Sequence, residues 1–118
     1  MPEFSTAFTG LNADRKISPS ELVRTIRLMV AAEYEAVQMY MQVAESTDNE
    51  LAKAVLKDIS DEELVHAGEF LQLLRQLAPN EESLYVKGYE EVKEMMENLK
   101  QHKKSAGTPV PVKVGSRT

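Results

Sequence analysis

Glu63 and His66 stand three residues apart in the stretch Asp61-Glu62-Glu63-Leu64-Val65-His66. On a helix that spacing puts a carboxylate and an imidazole on one face, one turn apart, aimed at a common point. It is the Glu-x-x-His pattern of carboxylate-bridged di-metal sites in helical bundles. Oxygen donors with one imidazole suit iron or manganese; zinc can occupy such a set, and calcium and copper fit it less well. In a chain with fifteen Glu and two His the spacing alone is a weak signal. It gains weight because Glu63 and His66 interrupt an apolar stripe, and Glu33 interrupts another.

The elements that must position these residues can be read from caps and periodicity. Ser18 is a candidate N-cap, Pro19 suits a first helical position, and Glu21 completes a capping box. From there Leu22, Ile26, Met29, Val37, Tyr40 and Ala44 recur at helical spacing, with Glu33 among them, as far as about Ser46. Thr47 and Glu50 have the spacing of a second capping box, which predicts that the next helix starts there. Its stripe is Ala52, Val55, Leu56, Ile59, Glu63, His66, Phe70, Leu73, Leu74 and Leu77, and Pro79 ends it. A third helix is expected from Ser83 to about His102, weakened early by Gly88.

Two long helices joined by a turn near residue 48 form an antiparallel hairpin. Glu33 precedes that point by as many residues as Glu63 follows it, so at about 1.5 Å per residue both lie roughly 22 Å from the turn. Two interruptions of two stripes therefore fall at one height. A desolvated carboxylate must protonate or meet a positive partner. The cations Arg24, Arg27, Lys53 and Lys57 lie more than a turn away, which leaves a divalent cation. One hairpin holds half of such a site. A two-fold dimer doubles it to four carboxylates and two imidazoles, matching two divalent cations, and buries the remaining apolar face. The expected fold is all-α: a two-helix antiparallel hairpin plus a short third helix, completing a four-helix bundle by dimerisation.

The rest of the chain bounds the setting. The sequence of 118 residues is 42% hydrophobic and 28% charged, which fits one globular domain. It has no Cys, which excludes thiolate metal sites and Cys nucleophiles. A net charge of −5 argues against nucleic acid as the main partner. No apolar run is long enough to span a membrane, and no secretory signal is evident, so a cytoplasmic origin is expected. Residues 1–17 read as a flexible arm, 18–102 as the helical domain, and 103–118 as a flexible tail.

The segments Glu33-Tyr34-Glu35-Ala36-Val37-Gln38-Met39-Tyr40 and Asp61-Glu62-Glu63-Leu64-Val65-His66-Ala67 resemble the encapsulated ferritins, ferritin-like two-helix proteins housed in encapsulin nanocompartments. The resemblance covers roughly residues 20–100 and extends through Gly68-Glu69-Phe70 and Gly88-Tyr89-Glu90-Glu91-Val92-Lys93. It implies that Glu33, Glu63 and His66 are iron ligands of a ferroxidase centre with Tyr40 as the nearby aromatic. It also implies that Glu35 and Glu62 are outer carboxylates that attract or admit metal. Ala32 and Met39 depart from the family pattern, which often has an acidic residue before the first ligand and in some members a Trp before the Tyr. The implied activity is oxidation of ferrous iron by dioxygen at a di-iron site across a dimer interface, in a ring of dimers, typically a decamer. The setting is iron storage or detoxification inside an encapsulin compartment in the cytoplasm. Val114-Gly115-Ser116 in segment 110–118 resembles a peptide that loads cargo into the shell. Two other readings stand beside this one. A rubrerythrin-like peroxidase or another di-metal oxidoreductase would usually need a rubredoxin-type Cys set or a partner carrying electrons, and the absence of Cys counts against it. A non-catalytic helical dimerisation module would use the buried Glu and His as a structural network.

Overall fold

The computed structural model describes residues 12–105, and these are all-helical, as expected. Helix α1 spans Pro19–Glu45, α2 spans Glu50–Leu77, a single 3-10 turn spans Pro79–Glu81, and α3 spans Glu82–Ser105. Described residues up to Pro79 form one compact unit and those from Asn80 a second. The parts of the expected arm and tail in 1–11 and 106–118, including Val114-Gly115-Ser116, lie outside the described residues.

The start of α1 is fixed by side chains that satisfy its first amides. The Glu21 amide donates to Ser18 Oγ (3.2 Å), and Glu21 Oε1 accepts from the Ser18 amide (2.9 Å). Arg15 adds a fork the sequence did not reveal, donating to both Glu21 carboxylate oxygens at 2.9 and 2.7 Å. Chiefly through the Arg15 hydrogen bond, with help from Ser18, the Glu21 carboxyl is held down at about 2.

The expected Thr47–Glu50 box does not form. Thr47 Oγ1 accepts from the Asn49 amide (3.2 Å), and Asn49 caps α2 by accepting from the Ala52 amide (2.9 Å). The Thr hydroxyl is used in a local turn, which leaves the cap to Asn, a stronger capping residue. At the far end the Ala78 amide donates to the Leu74 carbonyl (2.8 Å), and α2 stops at Leu77 before Pro79.

Helices α1 and α2 pack together, with Ile26, Val30 and Ala44 buried on one and Ser60, Ala67 and Leu74 on the other. Val30, Val37 and Ala44 are seven residues apart, as are Ser60, Ala67 and Leu74; this is the spacing of helices whose seams stay in register along their length. Of the expected stripes Ile26, Ala44 and Leu74 are buried, whereas the other buried seam residues, Val30, Ser60 and Ala67, lie outside them. Met29, Val43, Val55 and Leu73 remain exposed, with Ala36 and Ile59 half-buried. Met29, Ala36 and Val43 lie at seven-residue spacing along the adjoining edge of α1, as do Ile59, His66 and Leu73 on α2, with Val55 one turn before Ile59. The outcome is a hairpin with a narrow closed seam and a half-open apolar face beside it.

In the second unit α3 runs three residues past the expected end. His102, Lys103 and Lys104 sit in its last turn, where cations suit the carbonyl end of the dipole. Leu84, Tyr89, Val92, Met96 and Leu99 are exposed along it, and the Tyr85 hydroxyl donates to the Glu81 carboxylate. No helix among the described residues is long and apolar enough to cross a membrane.

Candidate metal centre

Glu33 comes from the middle of α1, and Glu63 and His66 come from the middle of α2. Glu33 takes the seam position that Ile26 and Tyr40 take one heptad before and after. Glu63 does so between Leu56 and Phe70. Each carboxylate therefore replaces an apolar knob, and the antiparallel register brings the two replacements level. One donor atom from each of Glu33, Glu63 and His66 lies within 4.8 Å of the others. His66 Nδ1 stands 3.8 Å from Glu33 Oε1 and 3.7 Å from Glu63 Oε1. These are the only three acidic, His or Cys groups that converge in this way among the described residues.

The cluster is asymmetric in its burial. The Glu33 and Glu63 side chains are 16% and 19% exposed, whereas His66 is 48% exposed and faces the half-open edge. Glu33 Oε2 is buried and has no hydrogen-bond partner. Hydrogen bonding with Glu63, then burial, then repulsion by the Glu63 charge push the Glu33 carboxyl above the usual carboxylate range, with His66 opposing. A buried carboxylate oxygen left without a donor is costly, and here two carboxylates compete for one proton.

A divalent cation fits what is missing. The two His66–carboxylate separations, 3.8 and 3.7 Å, already fall within the roughly 4.4 Å that two donors can span around one small divalent ion at about 2.0–2.2 Å. Two oxygen donors and one imidazole suit iron, manganese or zinc. Three donors from one chain do not fill the coordination of such an ion.

The other candidate residues are not part of the convergence. Tyr40 is half-buried on the same edge as Glu33, two turns further along α1. Glu35 is half-buried, and at about 100° per residue it points away from the Glu33 face. Glu62 is exposed beside Glu63, turned toward solvent.

The family described as Rubrerythrin matches residues 26–108. Over 87 residues the chain is 37% identical to the ferritin-like–encapsulin shell fusion protein of Pyrococcus furiosus, covering 74% of this chain and 25% of that protein. Over 67 residues it is 43% identical to the encapsulin nanocompartment cargo protein EncC of Myxococcus xanthus, covering 57% of this chain and 52% of the relative. The chain thus spans about a quarter and about half the length of these two relatives. The crystal structure of the encapsulated ferritin domain from Pyrococcus furiosus superimposes with a TM-score of 0.68 at 37% identity, covering 73% of this chain and 88% of that one.

Proposed function

This chain belongs to the rubrerythrin family of ferritin-like proteins, and on that premise we propose that it oxidises ferrous iron with dioxygen at a site shared by two copies. The observation that carries this reading is the convergence of Glu33, Glu63 and His66 around a buried carboxylate oxygen with no partner of its own. Family membership supports an iron-related oxidoreductase, and the convergence of these three side chains supports them as its ligands.

Iron is the substrate, and its ferrous ions supply the electrons that reduce dioxygen. Glu33 and Glu63 bind and neutralise the ions, and His66 adds a nitrogen donor from the open side. Two chains related by a two-fold axis bring four carboxylates and two imidazoles, which balance two divalent cations. Met29, Val43, Val55 and Leu73 flank the cluster and would exclude water once a second copy covers them, completing a four-helix bundle. Tyr40 is assigned as the nearby aromatic, and Glu35 and Glu62 as outer carboxylates on the approach. Manganese and zinc are expected to occupy the same donors.

The relatives named as encapsulin cargo or encapsulin fusion support placement inside an encapsulin compartment in the cytoplasm, with iron storage or detoxification as the purpose. In this reading 18–102 is the helical domain, 1–17 an arm, and 103–118 the tail that addresses it to the shell. The dimers assemble further, with a decameric ring as the expected state, which a native mass measurement reads directly.

The test begins with the protein and ferrous iron under anaerobic conditions, followed by air and a record of ferric absorbance. Glu33→Ala and His66→Ala should each slow the rise sharply. Unchanged rates in both variants would leave the cluster a purely structural network. The family match favours one second reading, a di-metal peroxidase. Consumption of hydrogen peroxide with an added electron donor, faster than iron oxidation by air, would select it.

A further inference from the structure

Met29 is the only sulfur on the half-open face that carries the cluster among the described residues. It precedes Glu33 by one turn, and residues four apart on a helix have Cβ atoms about 5–6 Å apart. Side chains on a helix lean toward its N-terminus, so the Glu33 carboxylate lies back over the turn that bears Met29. Its neighbours along the same edges, Ala36, Val43, Ile59 and Leu73, are hydrocarbon and inert to mild oxidants. The other described methionines lie elsewhere: Met39 on the outward side of α1, Met41 on its opposite edge, and Met95 and Met96 on α3.

We propose that Met29 is a sacrificial thioether for the metal centre, converted to the sulfoxide by hydrogen peroxide formed beside Glu33 and His66 before that oxidant reaches bulk solvent. This rests on the iron-oxidation reading above. Dioxygen reduced by two electrons from the ferrous substrate takes up two protons and leaves as hydrogen peroxide. The Met29 sulfur then attacks a peroxide oxygen; the O–O bond breaks, an S–O bond forms, and water departs. Sulfur is oxidised by two electrons and peroxide is reduced by two. Methionine sulfoxide is reversible by dedicated reductases, so the thioether can be used again.

The test compares two oxidations of the full chain by peptide mass spectrometry. Peroxide added from outside to the metal-stripped protein should follow exposure, marking Met39 (55% exposed) and Met96 (54%) ahead of Met29 (40%). Iron turnover in air, with catalase present to destroy escaped peroxide, should reverse that order and mark Met29 first. Met29→Leu, close in volume, should, without catalase, raise the sulfoxide formed at Met39 and Met96 per ferric ion produced. The same order in both oxidations, or an unmodified Met29 after iron has been oxidised, overturns the proposal while the iron-oxidation reading stands. If no ferric absorbance develops at all, that reading falls first and takes this one with it.

Discussion

Replacing Glu33 by glutamine should invert the order of stability between the stripped and the metal-loaded protein. The Glu33 and Glu63 donor atoms lie within 4.8 Å of each other. Two full charges no further apart than that repel by about 3.5 kcal/mol or more at an effective dielectric of 20. Folding raises the Glu33 carboxyl, chiefly through its hydrogen bond with Glu63 and then through burial. Its contribution to stability is therefore present at acid pH and lost as pH rises through the folded value. Glutamine keeps the shape of the protonated acid at every pH. Without metal, Glu33→Gln should match wild type near pH 4 and exceed it by roughly 1–3 kcal/mol at pH 8, the gain being part of that Coulomb term. For a domain of this size each kcal/mol moves the midpoint by about 4–8 °C. With manganese or zinc at a hundred times its dissociation constant, wild type should gain about 2.7 kcal/mol and the variant little, so the order reverses. Thermal unfolding by circular dichroism at fixed protein concentration, with chelator or with metal, reads all four states. A variant less stable than wild type in chelator at pH 8, or an equal metal shift in both proteins, would refute the like-charge account of this site.

Further outcomes concern the elements that hold the site. Glu21→Gln should lower the unfolding midpoint at neutral pH, and the difference should vanish as pH falls through about 2, because a carboxyl held that low stabilises only while ionised. Asn49→Ala should cost about 1 kcal/mol in denaturant titration as the α2 cap is lost, with Thr47→Ala costing less. Gly88→Ala should raise stability by roughly 0.5–1 kcal/mol, since an added Cβ there meets nothing within 4 Å and Gly is a poor helix former.

What the sequence made legible follows from what periodicity encodes. Glu33, Glu63 and His66 could be found because each stands where an apolar residue is due, and because rise per residue converts chain distance into height. Ser18, Pro19 and Glu21 form a complete local pattern, and the capping box it predicts is present. Thr47 misleads because capping motifs overlap: Thr47 with Glu50 has the right spacing, but Asn49 two residues later caps the helix through the Ala52 amide instead. The Arg15 fork to Glu21 spans an aperiodic segment and depends on a chain path that spacing does not record. The exposure of Met29, Val55 and Leu73 was illegible for another reason. A stripe shows which residues avoid water, not which partner covers them, and a two-helix seam is too narrow to cover both edges.

The open position of His66 has a consequence for when the chemistry can begin. Under the proposal of a site shared by two copies, a chain that carries three donors on one flank would be idle while dilute, since a lone copy would leave its ions loosely held and wet. Competence would then rise more steeply than protein abundance, because two copies would have to meet before either was complete. A confined, crowded location would act as the trigger, and newly made chains would pass through the cell without starting iron chemistry on the way.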